Sequence, residues 1–327
     1  MKIFFLGEYQ KIGGPYEVNK NLLSVLKKDV LYPRSNNPLI KRLENLYKIL
    51  MSDVVIFSGL FLKKSDLIIA HLLKKKIIYL MHGCVYLELG INSKLEKDIL
   101  EKADLILCVS QTYKNLISRI FPKYKDKIEV LTNAINWEMY DKLPTNTTTR
   151  DCNRIILIGG GRIIKRNLQI CEAVQKLNKE KRTNLHVDIY GEFKTNDDSL
   201  AISNIPCATF HDYIPHENLL IELCKSALFI QNSDIESFSL GTIEALICGC
   251  NILISKNVGA KDIISNLNEE DIINDTTNVQ EIQNKINHII QASNNKRLLL
   301  SINKETTSIK YSAKKLLKYA QNLMHQN

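Results

Sequence analysis

Two doubly wound α/β domains are what this sequence predicts, and three observations carry the expectation. The chain has 327 residues, too many for one ordinary core and enough for two domains of ~100–200 residues each. Short apolar runs alternate with amphipathic stretches from end to end, the pattern of parallel strands linked by helices. Near the middle, LPTNTTTRDCN (143–153) is polar and contains a proline, as a linker would. The boundary is therefore expected near residue 150, with one domain at 1–150 and the next starting at 151.

In the first domain KIFFLG (2–7) opens as a buried strand, and VNKNLLSVLKK (18–28) follows with apolar residues at helical spacing. DVVIFSG (53–59), KKIIYLMHG (75–83), ADLILCVS (103–110) and KIEVLTN (127–133) are continuous apolar runs, as strands covered on both faces require. SKLEKDILEK (93–102) and QTYKNLISRIF (111–121) supply helices between them. The second domain repeats the plan with strands at RIILIGGG (154–161), LHVDIYGE (185–192), ATFHDYI (208–214), ALFIQNS (227–233) and NILIS (251–255). Its helices are NLQICEAVQKLNKE (167–180), HENLLIELCKS (216–226) and GTIEALICG (241–249).

Composition narrows the function classes. Hydrophobic residues make up 45% and charged residues 24%, which are globular values. No uncharged apolar stretch reaches the ~18–20 residues of a membrane span, and MKIFFLG reads as a first strand, not a signal peptide. The eight cysteines include no C-x-x-C pair and sit mostly in apolar runs, so reduced thiols in a cytoplasmic setting are expected. The net charge is +9, and it is unevenly placed. Residues 1–150 carry 24 Lys and Arg against 15 Asp and Glu, whereas residues 151–327 carry 20 of each. No helix-turn-helix, zinc spacing or aromatic interleaving accompanies the basic runs, so nucleic acid is not the expected partner. An anionic membrane surface is, with the protein peripheral on the inner face of the cell membrane.

In open parallel sheets, ligands bind beyond the carboxyl ends of the strands. At those ends this sequence places Gly13-Gly14, Met81-His82-Gly83, Gly159-Gly160-Gly161-Arg162 with Lys165-Arg166 beyond, Gly191-Glu192, and the stretch SDIESFSLGTIEALICGC from Ser233 to Cys250. No G-x-G-x-x-G or Walker sequence is present, which removes the usual dinucleotide and ATP readings. Glycine backbone, a helix start and the cations Arg162 and Lys165 together fit a phosphate-bearing ligand. Glu236 lies in the loop and Glu244 one turn into the helix, bracketing Phe238, Ser239, Leu240, Gly241 and Thr242. Two carboxylates so placed suit vicinal hydroxyl groups. An ordinary helix with one N-terminal acid would explain one glutamate but not the pair.

ESFSLGTIE (236–244) is similar to the E-x7-E motif of retaining glycosyltransferases of the GT-B fold, family 4 (glycosyltransferase group 1). The resemblance extends through Gly13-Gly14, His82-Gly83, ADLILCVSQ, LTNAINWEMY, GGGRIIKRN and DIYGE, and so covers most of the chain. It implies two Rossmann-like domains facing a cleft, the first on the acceptor side and the second, 151–303, binding a nucleotide sugar. A last helical segment, 304–327, would cross back to the first domain. By the same resemblance Glu236 contacts the donor sugar hydroxyls and Glu244 the ribose. Arg162 and Lys165 hold the diphosphate, with Arg166 as the alternative second cation, and His82 lines the reaction centre. The amides of Gly13 and Gly14 and the helix start at Gly241 add donors to the diphosphate.

The implied reaction moves a hexosyl group from a nucleotide diphosphate sugar, a UDP-sugar foremost, to a saccharide or polyprenol-linked saccharide in cell-surface polysaccharide synthesis. No metal or other cofactor is expected, because no D-x-D occurs in the chain. The nearest imitation is Asp234-Ile-Glu236, whose aspartate is expected to cap the turn before the helix. The alternatives are a nucleotide-sugar epimerase of the same fold and a non-catalytic sugar-nucleotide-binding module.

Overall fold

The computed structural model describes residues 1–9, 13–59, 63–140 and 149–325. Its contacts divide the chain into two units, residues 1–137 with 304–327, and residues 138–303. The division falls at Trp137/Glu138 and not near residue 150. Most of the expected linker, through residue 148, lies outside the described residues, and after Thr149 and Arg150 its last three residues, Asp151 to Asn153, already belong to a strand. That end of the strand is exposed, which suits Asp151 and Asn153.

The first unit is built on β1 (Ile3–Gly7), β2 (Val30–Leu31), β3 (Val54–Ser58), β4 (Lys76–Met81), β5 (Leu105–Cys108) and β6 (Ile128–Val130). All pair in parallel, in the order β2-β1-β3-β4-β5-β6. Every residue of β3 is buried, which is why its sequence shows no polar alternation. The last long helix, Ile309–His325, packs on the Gly14–Leu26 helix through a face that includes Ala313, Leu316, Ala320 and Leu323. Trp137 Nε1 donates to Thr307 Oγ1 at 3.1 Å, and Tyr319 donates its hydroxyl to Val130 O at 3.1 Å. Residues 304–327 thus complete the first unit.

The second unit is built on β7 (Asp151–Ile158), β8 (His186–Tyr190), β9 (Ala208–His211), β10 (Ser226–Gln231), β11 (Asn251–Ser255) and β12 (Ile272–Ile273). These also pair in parallel, in the order β12-β11-β10-β7-β8-β9. Its core joins Leu157, Ile189, Ile230 and Leu253 from the sheet to Ile170 and Val174 from the Asn167–Lys181 helix and Ile282 and Ile286 from Val279–Gln291. The two-residue edge strands β2 and β12 are additions to the sequence reading, since two residues carry no periodicity.

Dividing the chain this way sharpens the charge asymmetry. The first unit carries 27 Lys and Arg against 14 Asp and Glu, a net of +13, and the second 17 against 21, a net of −4. Among the described residues no helix is long and apolar enough to cross a membrane.

Candidate functional site

In the second unit the chemistry-bearing side chains gather at the carboxyl ends of β7 and β10. β7 runs directly into Gly159-Gly160-Gly161, whose amides return to the neighbouring strand end. Gly159 N and Gly160 N donate to Tyr190 O at 2.9 and 3.0 Å, and Gly161 N donates to Glu192 O at 3.0 Å. The two turns lie backbone to backbone. Gly160 has φ +58°, and a Cβ there would stand 2.3 Å from Glu192 O, so the contact needs glycine.

A single turn of 3-10 helix, Ile163–Lys165, follows and ends at Arg166 in the left-handed region, φ 51°. That turn sends successive cations in different directions. Arg162 stays exposed, with its Nε donating to Gly159 O at 3.2 Å. Lys165 is buried, and its ammonium makes an ion pair with Glu236 Oε2. Arg166 Nε donates to Asp234 Oδ2 at 2.7 Å. Asp234 Oδ1 in turn accepts from Thr276 Oγ1 at 2.5 Å, so Asp234 anchors the loop to its flanks.

The loop after β10 is fixed along its length. Asp234 N donates to Ile164 O at 2.9 Å, Gly259 N to Glu236 O at 3.1 Å, and Ala260 N to Phe238 O at 2.6 Å. Glu236 is held between the 3-10 turn on one side and the Val258–Ala260 segment on the other. Burial by itself would raise its carboxyl pKa, but the Lys165 ammonium, the Arg162 guanidinium and the Phe238 amide outweigh that and hold it below the ordinary carboxylate value. Glu236 is therefore held as the carboxylate.

The Leu240–Ile247 helix begins beside the glycine turn. A Cβ on Gly241 would lie 3.3 Å from Ile158 Cδ1 at the end of β7, so the helix start and the 159–161 turn converge. Ser239 precedes the helix with φ 76°, and Thr242 donates its hydroxyl to Ser239 Oγ at 2.9 Å. Phe238 is 1% exposed and Thr242 fully buried. Glu244 is buried on the same helix, and its Oε1 accepts from Tyr140 Oη at 2.9 Å and faces His216 Nε2 at 2.8 Å.

The first unit holds a separate polar group. Gly13, φ +132°, starts the Gly14–Leu26 helix, which carries the fully buried Asn19. Asn19 Nδ2 donates to Glu8 O at 2.8 Å, leaving Oδ1 to accept from Ser58 Oγ at 2.5 Å. With its one proton so committed, Ser58 Oγ accepts from His82 Nε2, 2.8 Å away. His82 is thus neutral with its proton on Nε2, and its buried Nδ1 has no hydrogen-bond partner among the described residues. Burial lowers its pKa to about 4.

Arg162, Lys165, Glu236 and Gly241 therefore lie together in the second unit. Arg166 is turned to Asp234, and His82 lies in the other unit with Ser58 and Asn19, on whose helix Gly13 and Gly14 stand at the start. Sequence reasoning missed His216 and Tyr140, which meet Glu244 from 28 and 104 residues away, and Ser58 and Asn19, which fix the His82 tautomer. Nothing local in the chain marks any of the four. Among the described residues no cluster of His, Cys, Asp and Glu could hold a metal ion.

Residues 146–307 match the glycosyl transferases group 1 family. Among solved structures, the chain is similar to Anabaena HepE in complex with UDP and glucose, with a TM-score of 0.69 at 13% identity over 98% of this chain and 100% of that one. It is similar to sucrose-phosphate synthase from Thermosynechococcus elongatus, with a TM-score of 0.68 at 13% identity over the whole of both chains. It also resembles the lipopolysaccharide outer core galactosyltransferase WaaB, at 0.65 and 15% over 99% of each. A search among curated proteins gives no match. At these identities the structural likeness establishes the fold.

Proposed function

We propose that this chain, whose residues 146–307 match the glycosyl transferases group 1 family and whose two sheets form a GT-B fold, moves a hexosyl group, with retention, from a nucleotide diphosphate sugar to a saccharide or lipid-linked saccharide. The observation that carries the reading is the Lys165–Glu236 pair at the mouth of the glycine turn, with Arg162 exposed beside it. Lys165 and Arg162 present two positive charges where the diphosphate of a donor would lie. Glu236 fixes the lysine ammonium and keeps a carboxylate available for sugar hydroxyls. Glu244, held by Tyr140 and His216, is set to accept from the two ribose hydroxyls.

In the proposed step the bond between the sugar anomeric carbon and the diphosphate oxygen breaks, and its electron pair goes to that oxygen. The acceptor hydroxyl oxygen bonds to the same face of the anomeric carbon, and its proton passes to the leaving diphosphate. Charge builds on the diphosphate, so Lys165 and Arg162 interact more strongly with the transition state than with the bound donor, which is the condition for raising the rate. No side-chain base is needed, and the Glu236/Glu244 pair does not serve as a glycosidase dyad. A UDP-sugar is the first donor to test, since HepE was solved with UDP and glucose.

A panel of nucleotide sugars read by thermal shift identifies the donor. Proton NMR of the product formed with that donor and a saccharide acceptor reports the anomeric configuration. Inverted product, or donor epimerised without any acceptor present, would reject the proposal.

A further inference from the structure

We propose that the outer face of the Pro38–Met51 helix and the adjoining end of the Lys64–Leu72 helix form a docking surface for an anionic lipid bilayer. The Pro38–Met51 helix is amphipathic in an unusual sense. Asn45 and Ile49 are buried inward, yet Leu39, Leu43, Tyr47 and Leu50 are 78, 68, 61 and 57% exposed. Their spacings of four, four and three residues set them in one stripe along the helix. An isolated exposed leucine is ordinary, but a stripe running the length of a helix is not.

The neighbouring helix extends the stripe into a patch. Arg42 pairs with Asp66 and donates to Ser65 Oγ at 3.0 Å near one end of the helix pair, and Lys75 Nζ donates to Leu50 O at 2.9 Å near the other. The helices therefore run side by side, and Ile68 and Leu72, 38 and 72% exposed, lie next to the stripe.

Charge selects the occupant. The acids carried by these helices are neutralised locally, Glu44 by Lys48 and Asp66 by Arg42. Exposed Lys63 and Lys74 flank the second helix, and the unit as a whole carries +13. Two copies meeting through this face would bring like charge together. A bilayer with anionic headgroups offers an apolar depth for the leucines and tyrosine and negative charge for the lysine rim.

The surface requires neither donor nor acceptor, so its failure would leave the transfer reading standing, and the reverse also holds. The test is co-sedimentation of the full chain with vesicles of phosphatidylcholine and phosphatidylglycerol, and with vesicles of phosphatidylcholine alone. The native chain is expected to bind the anionic vesicles, less so as salt is raised. Combining Leu39→Ser, Leu43→Ser and Leu50→Ser should lower the partition coefficient by about tenfold or more. Lys63→Glu with Lys74→Glu should lower it several-fold and flatten the salt dependence. Because the substituted side chains point outward, the melting temperature should hold, which separates lost docking from lost folding. A serine variant that binds like the native chain, or a native chain that ignores anionic vesicles, overturns the proposal. So does a solution dimer that the serine variant converts to monomer, which would give the face to a second copy.

Discussion

Acidification should load one imidazole in the first unit. His82 sits at the end of a committed chain of donors, in which Asn19 Oδ1 takes the Ser58 proton at 2.5 Å and Ser58 Oγ takes that of His82 Nε2 at 2.8 Å. A second proton on the ring would have to go to Nδ1, which is buried without an acceptor among the described residues. Burial lowers the ring from an ordinary 6.5 to about 4. The unfolded chain therefore binds this proton first. Stability from this residue is constant above about pH 6.5, falls as pH drops from there to about 4, and levels off below. A gap of roughly 2.5 units at ~1.36 kcal/mol each makes the loss about 3 kcal/mol. Urea unfolding of the native chain and of His82→Gln between pH 7 and 4 measures it, since other titrating groups cancel in the difference. The native chain should lose about 3 kcal/mol more than the variant over that range, and the His82 Cε1–H resonance should show no midpoint near neutrality. Equal pH dependence in the two proteins, or a midpoint above pH 6, would refute the tautomer argument.

Other outcomes follow from the second unit. Lys165→Ala should lower kcat by roughly two to three decades, the effect of losing a charge made most effective in the transition state. Arg166→Ala should lower it less, because that side chain is spent on Asp234; steady-state kinetics decides between them. Glu236→Gln should depress turnover with nucleotide affinity nearly intact, whereas Glu244→Gln and His216→Ala should chiefly weaken nucleotide binding, as calorimetry would read. Gly160→Ala forces a Cβ into Glu192 O at 2.3 Å and should cost about 2–4 kcal/mol in thermal or urea unfolding. Transfer should survive exhaustive EDTA treatment, because Asp234 and Glu236 already face Arg166 and Lys165. Activity lost to chelation and restored by Mg²⁺ or Mn²⁺ would reassign both carboxylates to a metal.

What could be read in the chain, and what could not, follows from range. Ten strands were legible because buried parallel strands are unbroken apolar runs, DVVIFSG being the clearest. The Pro38–Met51 helix was not, because LIKRLENLYKILM carries apolar residues both inward at Ile49 and outward at Leu43 and Leu50, which blurs any polar face. Glu236, Lys165 and Gly241 were legible because they sit at strand ends within recognisable short motifs. The His216 and Tyr140 contacts to Glu244 are set by tertiary packing alone, and so is the burial of Phe238, whose neighbours in sequence are all partly exposed. The turn at Arg166 shows the same limit on a smaller scale. One left-handed residue decides that Lys165 meets Glu236 while Arg166 meets Asp234, and KR in the sequence says nothing of it.

The return of Lys304–Asn327 to the first unit has a consequence for synthesis. As the polypeptide leaves the ribosome, β1 through β6 precede the second unit, yet the Ile309–His325 helix that packs on the Gly14–Leu26 helix follows it. The nascent first unit must wait, with that apolar surface bare, for the whole of the second unit to pass. A chaperone that shields exposed leucines during elongation should therefore raise the soluble yield. Stop codons placed before Ile309 should send the product to the insoluble fraction even though every strand of both sheets has been made.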